Sequence, residues 1–170
     1  SNYFQLLSPL SKVYNIYSKY DYHPSPIKNN HNIVFLSGQN GYNVNGLKWF
    51  LKDVFPLIRQ RFSDAVCVIA GGICRVIDKN EVGDGVKLLG YVESPATLYE
   101  EGEVAINPTY QGTGLKIKTF ESISYDKVTM VHPHSMKGVY DANNTSLFYS
   151  EKPEEWVEFL VKLWETKEIS

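Results

Sequence analysis

Short apolar runs alternate along this chain with longer amphipathic stretches, and the changeovers fall at glycines, prolines and polar clusters. Ile33 to Ser37 is a strand-like apolar run that stops at Gly38. Val44 to Phe62 then carries Leu47, Phe50, Leu51, Val54, Leu57, Ile58 and Phe62 at the spacing of one helix face, which completes a βα unit. Val66 to Ala70 is apolar throughout and bounded by Gly71 and Gly72, as expected of a parallel strand covered on both faces. Lys87 to Leu89 ends at Gly90, and Ser94-Pro95 follows as a helix start, with proline where the missing N–H costs nothing. Val104 to Asn107, Val128 to Val131 and Leu147 to Tyr149 read as three further strands. Pro153 to Lys167 places Trp156, Phe159, Leu160, Leu163 and Trp164 on one face of an amphipathic helix.

Strands alternating with helices predict an α/β fold: a single Rossmann-like domain with a doubly wound, mostly parallel sheet and helices on both faces. Residues 1–32 have a different texture. They are rich in tyrosine (Tyr3, Tyr14, Tyr17, Tyr20, Tyr22), and Pro24 and Pro26 block continued helix or central strand. Leu10, Val13, Tyr14 and Tyr17 fit a helix face while VYNIY fits a strand, so periodicity leaves that choice open. The expected organisation is a linker or interdomain segment over 1–32 and one domain over 33–170.

Composition narrows the classes. A length of 170 residues with 43% hydrophobic positions is enough for one sizeable core. The net charge of -2, with scattered lysines and arginines, provides no basic stripe, so no nucleic-acid partner is expected. Cys67 and Cys74 have no accompanying histidine cluster and read as reduced, buried thiols; no metal is expected. No apolar run approaches the ~20 residues that span a bilayer, and no signal-peptide pattern precedes the first polar stretch. The expected setting is cytoplasmic, with peripheral membrane attachment an option for a longer parent chain.

Ligands of parallel sheets bind beyond the carboxyl ends of strands. Four glycine-bearing turns fall there: Gly38 to Gly46, Gly71-Gly72, Gly90-Tyr91 and Gly112 to Gly114. Glycine after a strand is also how such turns are ordinarily made, so the four carry weight only together. The most informative stretch runs from Asn107 to Val131, NPTYQGTGLKIKTFESISYDKVTMV. Pro108 ends the strand, and Gly112 and Gly114 let backbone approach a ligand where side chains would clash. Lys116 and Lys118 stand in the first turn of the following helix, where the dipole disfavours cations, which suggests an anion nearby. Glu121 lies one turn on, and its side chain leans back toward the same mouth, where a carboxylate could accept from both hydroxyls of a ribose. The plainer alternative is that Lys118 and Glu121 form a surface pair and that the glycines only turn the chain. His132 and His134 flank Pro133, but two close histidines without a third ligand read as loop residues before they read as a metal site.

Three pieces in order, SGQNGYNVNGLKWFLKDVFPLIRQRFSDAVCVIAGG, VKLLGYVES and INPTYQGTGLKIKTFESISYDKVTMV, resemble the C-terminal, donor-binding domain of group 1 (family 4-like) glycosyltransferases of the GT-B architecture. The resemblance runs from Ile33 to about Glu165. It implies transfer of a sugar from a nucleoside diphosphate sugar to an acceptor glycan, lipid or other molecule held by a separate N-terminal domain. It implies that Glu121, the second glutamate of the family's E-x7-E motif, holds the donor ribose. Gly112, Thr113, Gly114 and Leu115 would place backbone N–H groups on the diphosphate, with Lys116 or Lys118 adding charge. Gly90, Tyr91 and Val92 match the turn that reads the nucleobase, Gly71 and Gly72 the turn beneath it, and Gly38 the turn after the first strand. Thr113 stands where the family has its first motif glutamate, and the family's basic phosphate pair appears only in part, with Gln39 and Asn45 after the first strand. The donor is a substrate, and no cofactor is expected. A fragment lacking the acceptor domain is expected to bind donor without transferring sugar. Two alternatives stay open: a non-catalytic nucleotide-sugar or protein-binding module, and an epimerase-like enzyme on the same architecture.

Overall fold

The structure is a computed structural model that describes residues 23–25, 28, 30–78, 80, 82–113, 117–136 and 146–168. The first strand, β1, spans Asn32–Leu36, one residue earlier than the apolar run suggests. A helical passage follows: α1 over Gly41–Trp49, a π-helical turn over Phe50–Val54, and α2 over Phe55–Arg61. Helix α1 begins three residues before Val44 because the side chain of Asn40 accepts from the Asn43 N–H and caps the first turn. The sequence places Pro56 inside this passage, where it cannot donate to the carbonyl four residues back. The wider π turn just upstream, with the Phe55 N–H bonded to the Phe50 carbonyl, absorbs the mismatch and keeps the passage continuous.

Strand β2 (Val66–Ala70) leads into a 3₁₀ turn at Gly72–Arg75, and β3 spans Val86–Gly90. Helix α3 (Pro95–Tyr99) is capped by Ser94, whose hydroxyl accepts from the Ala96 N–H. Then come β4 (Val104–Asn107), α4 (Ile117–Ser124), β5 (Val128–Val131), β6 (Leu147–Tyr149) and the long α5 (Pro153–Glu168). Asp126, at φ 59°, takes the left-handed conformation that stops α4 and turns the chain into β5.

The six strands lie in the order β3-β2-β1-β4-β5-β6, and every pairing is parallel. This is a doubly wound Rossmann-like sheet, with its switch in strand order between β1 and β4. Alternation along the strands divides the core. Ile33, Phe35, Cys67, Ile69, Val104, Ile106 and Met130 face α1, α2 and α5, where Leu47, Phe50, Ile58, Trp156, Leu160 and Trp164 are buried. Val34, Val68, Ala70 and Ala105 face Leu98 and Tyr99 of α3. Beneath α4 the contact is polar: Asn107 Nδ2 donates to Thr119 Oγ1 at 3.0 Å, and the Ser122 and Thr129 hydroxyls bond at 2.8 Å. Those bonds offset the desolvation of buried polar groups and hold α4 to β4 and β5.

The residues expected to form a linker are partly packed. His23 N–H donates to the Ser124 carbonyl, Ser25 is buried, and Asn30 Nδ2 donates to the Glu101 carbonyl, so the chain before β1 is tied to α4 and to the segment that follows α3. The helix-or-strand choice at Leu10 to Tyr17 lies outside the described residues. Cys67 is buried, with its thiol pushed well up by desolvation, whereas Cys74 is only half-buried and its Sγ donates to the Ile69 carbonyl. No described helix is long and apolar enough to cross a membrane.

Candidate functional site

The carboxyl ends of β1, β2, β3 and β4 open on one side of the sheet. Gly38, Gly71, Gly72, Tyr91 and Val92 meet there with Ile117, Lys118 and Glu121 of α4 around a cleft of about 340 Å³. Residues from three separate turns and one helix, far apart in sequence, thus share one surface. Gly71 is required by geometry, because at φ 96° an added Cβ would sit 2.4 Å from the Ser37 carbonyl oxygen. Its N–H donates to the Gly90 carbonyl at 2.7 Å, so Gly90 shapes the cleft through backbone and does not line it. Tyr91 is 77% exposed, an unusual position for a large aromatic ring beside a polar cleft.

A second concavity of about 240 Å³ shares Ile117 and Lys118 with the first. It is bounded by Asn40, Tyr42 and Asn43 at the start of α1 and by Thr109, Gln111, Gly112 and Thr113 after β4, with Asn107 also in its lining. Gly112 and Thr113 therefore border this second lobe. Gly114, Leu115 and Lys116 lie outside the described residues. Gly112 has φ 98°, and a Cβ there would stand 3.3 Å from the Tyr42 ring. Gly46 brings α1 against the same turn: its Cβ would meet the Pro108 carbonyl oxygen at 2.8 Å.

The two charged residues of α4 have specific partners. Lys118 Nζ donates to Asn43 Oδ1 at 2.7 Å, and Asn43 Nδ2 donates to the Gly38 carbonyl at 3.2 Å. The lysine is thus drawn across the mouth toward α1. Glu121 Oε1 accepts from the Tyr99 hydroxyl at 3.0 Å. Tyr99 is itself fixed by stacking on Tyr125, with ring centroids 4.6 Å apart. Burial raises the Glu121 carboxyl above its ordinary pKa, and the Tyr99 hydrogen bond and the Lys118 charge each pull it part of the way back. A half-buried carboxylate oriented by a tyrosine at a cleft mouth is poised to accept hydrogen bonds from a ligand.

Sequence spacing places Glu121 and Lys118 correctly at this mouth but misses their partners. Gln39 and Asn45, expected near the phosphate position, are exposed and line neither concavity; the amides of this segment that do are Asn40 and Asn43. The N-cap signature of Asn40 before a helix was the available clue. Tyr99 had none, since its partner lies 22 residues away on another element. His132 and His134 are both half-buried and stand beside the Gly112 turn. Among the described residues no three histidine, cysteine or acidic side chains gather as metal ligands.

Comparison with known proteins adds to this geometry. Residues 30–166 match the family model described as "Glycosyl transferases group 1". A curated Klebsiella pneumoniae protein, the uncharacterized 44.6 kDa protein in the cps region, is 28% identical over a stretch covering 63% of this chain and 29% of the relative. The chain thus spans under a third of that relative's length. Among solved structures, S. aureus TarM in complex with fondaparinux, alpha-GlcNAc-glycerol and UDP is similar with a TM-score of 0.67 at 14% identity, covering 95% of this chain and 35% of TarM. Anabaena HepE in complex with UDP and glucose is similar with a TM-score of 0.66 at 12% identity, covering 90% of this chain and 47% of HepE. At these identities the likeness establishes a shared fold.

Proposed function

The chain belongs to the group 1 glycosyltransferases, and on that footing we propose that its cleft binds a nucleoside diphosphate sugar as donor for transfer to an acceptor held by another domain of a longer protein. The observation that carries this reading is the meeting of Gly38, Gly71, Gly72, Tyr91, Val92, Lys118 and Glu121 in one cleft beside the β1/β4 switch. Glu121 accepts from the ribose hydroxyls, with Tyr99 holding one carboxylate oxygen. Tyr91 and Val92 border the base. The turn at Gly112 and Thr113, with Lys118, faces the diphosphate. Two structural neighbours solved with UDP support a nucleoside diphosphate as the ligand class.

The same arrangement suits the chemistry of transfer. Breaking the bond between the anomeric carbon and the diphosphate leaves negative charge on the departing oxygen. A lysine and backbone N–H groups fixed in place before the reaction stabilise that charge without reorganisation. The acceptor hydroxyl must be positioned by a second surface, and such positioning supplies roughly 7 to 11 kcal/mol of barrier lowering.

Titration calorimetry of this chain with UDP, GDP, ADP, uridine and inorganic pyrophosphate tests the reading. At least one nucleoside diphosphate is expected to bind more tightly than both its nucleoside and pyrophosphate. A chain that binds none of the diphosphates does not carry a donor site.

A further inference from the structure

The segment following β5 makes a set of contacts that the donor reading leaves unused. Strand β5 ends at Val131, and His132 to Met136 folds into a 3₁₀ turn over Pro133–Met136 beside the turn that follows β4. Three hydrogen bonds tie the two segments. The His132 N–H donates to the Asn107 carbonyl at 3.1 Å, the buried Ser135 hydroxyl donates to the Thr109 carbonyl at 2.7 Å, and His134 Nε2 meets the Gly112 carbonyl at 2.7 Å. A carbonyl can only accept, so His134 carries its proton on Nε2. The bonded carbonyls lie at the start, near the middle and toward the end of one irregular stretch, Asn107 to Gly112.

The histidine is itself held. Its backbone N–H donates to His132 Nδ1 at 3.2 Å, and the His132 ring is flanked by Trp49 and Tyr110 at centroid distances of 5.8 and 5.9 Å. Burial lowers the His132 pKa, which keeps Nδ1 available as an acceptor. On its other side the turn meets α1: a Cβ on Gly46 would stand 2.8 Å from the Pro108 carbonyl oxygen, and one on Gly112 would press on the Tyr42 ring at 3.3 Å. Glycine samples positive and negative φ about equally, so Gly112 at φ 98° keeps one course only where its neighbours hold it. Its carbonyl bond to His134 is one such hold.

We propose that His132 to Met136 is a clamp on the turn after β4, and that His134 is the positioning residue that fixes the Gly112 peptide in the course needed to meet the ligand's diphosphate. The ligand half of this inference rests on the donor reading above; the clamp does not. Loss of the His134 bond loosens the Gly112 peptide, so part of the turn's ordering falls to ligand binding and affinity drops by that ordering cost.

The test uses wild type, His134→Ala and His134→Gln, in which glutamine places an amide donor close to the Nε2 position. Hydrogen exchange of the amides at 109–113 is measured without ligand, and binding of UDP and of uridine is measured separately. His134→Ala is expected to speed exchange across the turn several-fold and to weaken UDP about five- to tenfold, the scale of one hydrogen bond. Uridine binding should stay unchanged, and His134→Gln should recover most of both effects. Unchanged exchange in His134→Ala overturns the clamp. Faster exchange with unchanged UDP affinity, or equal weakening of UDP and uridine, overturns its role toward the diphosphate. If wild type binds none of UDP, GDP and ADP, the donor reading falls, and the exchange comparison still decides the clamp.

Discussion

Replacing Glu121 by glutamine should weaken ligand binding while making the ligand-free protein more stable. The substitution keeps the shape of the side chain, and its amide oxygen can still accept from the Tyr99 hydroxyl now 3.0 Å from Oε1. What disappears is the charge. One hydrogen bond from ribose to a charged acceptor is worth about 1.5 to 3 kcal/mol, and glutamine retains only weaker neutral bonding, so affinity for UDP should fall by about one to two orders of magnitude. Stability moves the other way because burial raises the carboxyl's pKa in the folded state. The folded chain then binds a proton more readily than the unfolded one, so stability falls as pH rises from the unfolded pKa through the higher folded one. At neutral pH the ionised carboxylate is therefore a net cost, which glutamine removes. Solvent screening of this half-exposed group limits the gain to below about 1 kcal/mol, roughly 2 to 4 °C in Tm for a chain of this size. Calorimetric binding of UDP and pyrophosphate, with thermal melts from pH 4 to 8, reads both effects. Melting curves of wild type and variant should converge at the acid end. Undiminished UDP affinity, equal loss for pyrophosphate, or a drop of several degrees at pH 7 would each refute the assignment.

Three further outcomes are expected. Tyr99→Phe keeps the stack on Tyr125 but removes the hydroxyl that favours ionised Glu121, so the acid limb of UDP binding should move to higher pH while pyrophosphate binding stays put. Lys118→Met should weaken UDP and pyrophosphate about tenfold or more and leave uridine unaffected, since the lysine acts as a point charge on phosphate; an unchanged UDP affinity would return Lys118 to a structural tie to Asn43. Gly71→Ala forces a side chain into a left-handed backbone with its Cβ 2.4 Å from the Ser37 carbonyl oxygen, and a loss of at least about 2 kcal/mol in denaturant melts is expected.

Local pattern by itself determined the elements of this protein. The ends of β2, β5 and β6 coincide with their apolar runs, Ser94-Pro95 opens α3 as its cap chemistry predicts, and α5 buries Trp156, Leu160 and Trp164 from the face its spacing defines. These features depend on residues one to four positions apart, within reach of turn chemistry and side-chain period. The glycine turns and the Lys118 and Glu121 pair were legible for the same reason. Partners fixed by strand order were not. Asn43 meets Lys118 across 75 residues because β1 lies beside β4, and His134 meets Gly112 because β5 follows β4 in the sheet. Continuity of the helical passage past Pro56 was legible from the spacing of Phe50, Val54 and Ile58, and burial of that shared face together with Phe55 outweighs the local break. Residue type told which groups could carry charge or hydrogen bonds, and only the folded sheet decided which of them meet, because a contact between distant segments exists only once the strands between them have taken their order.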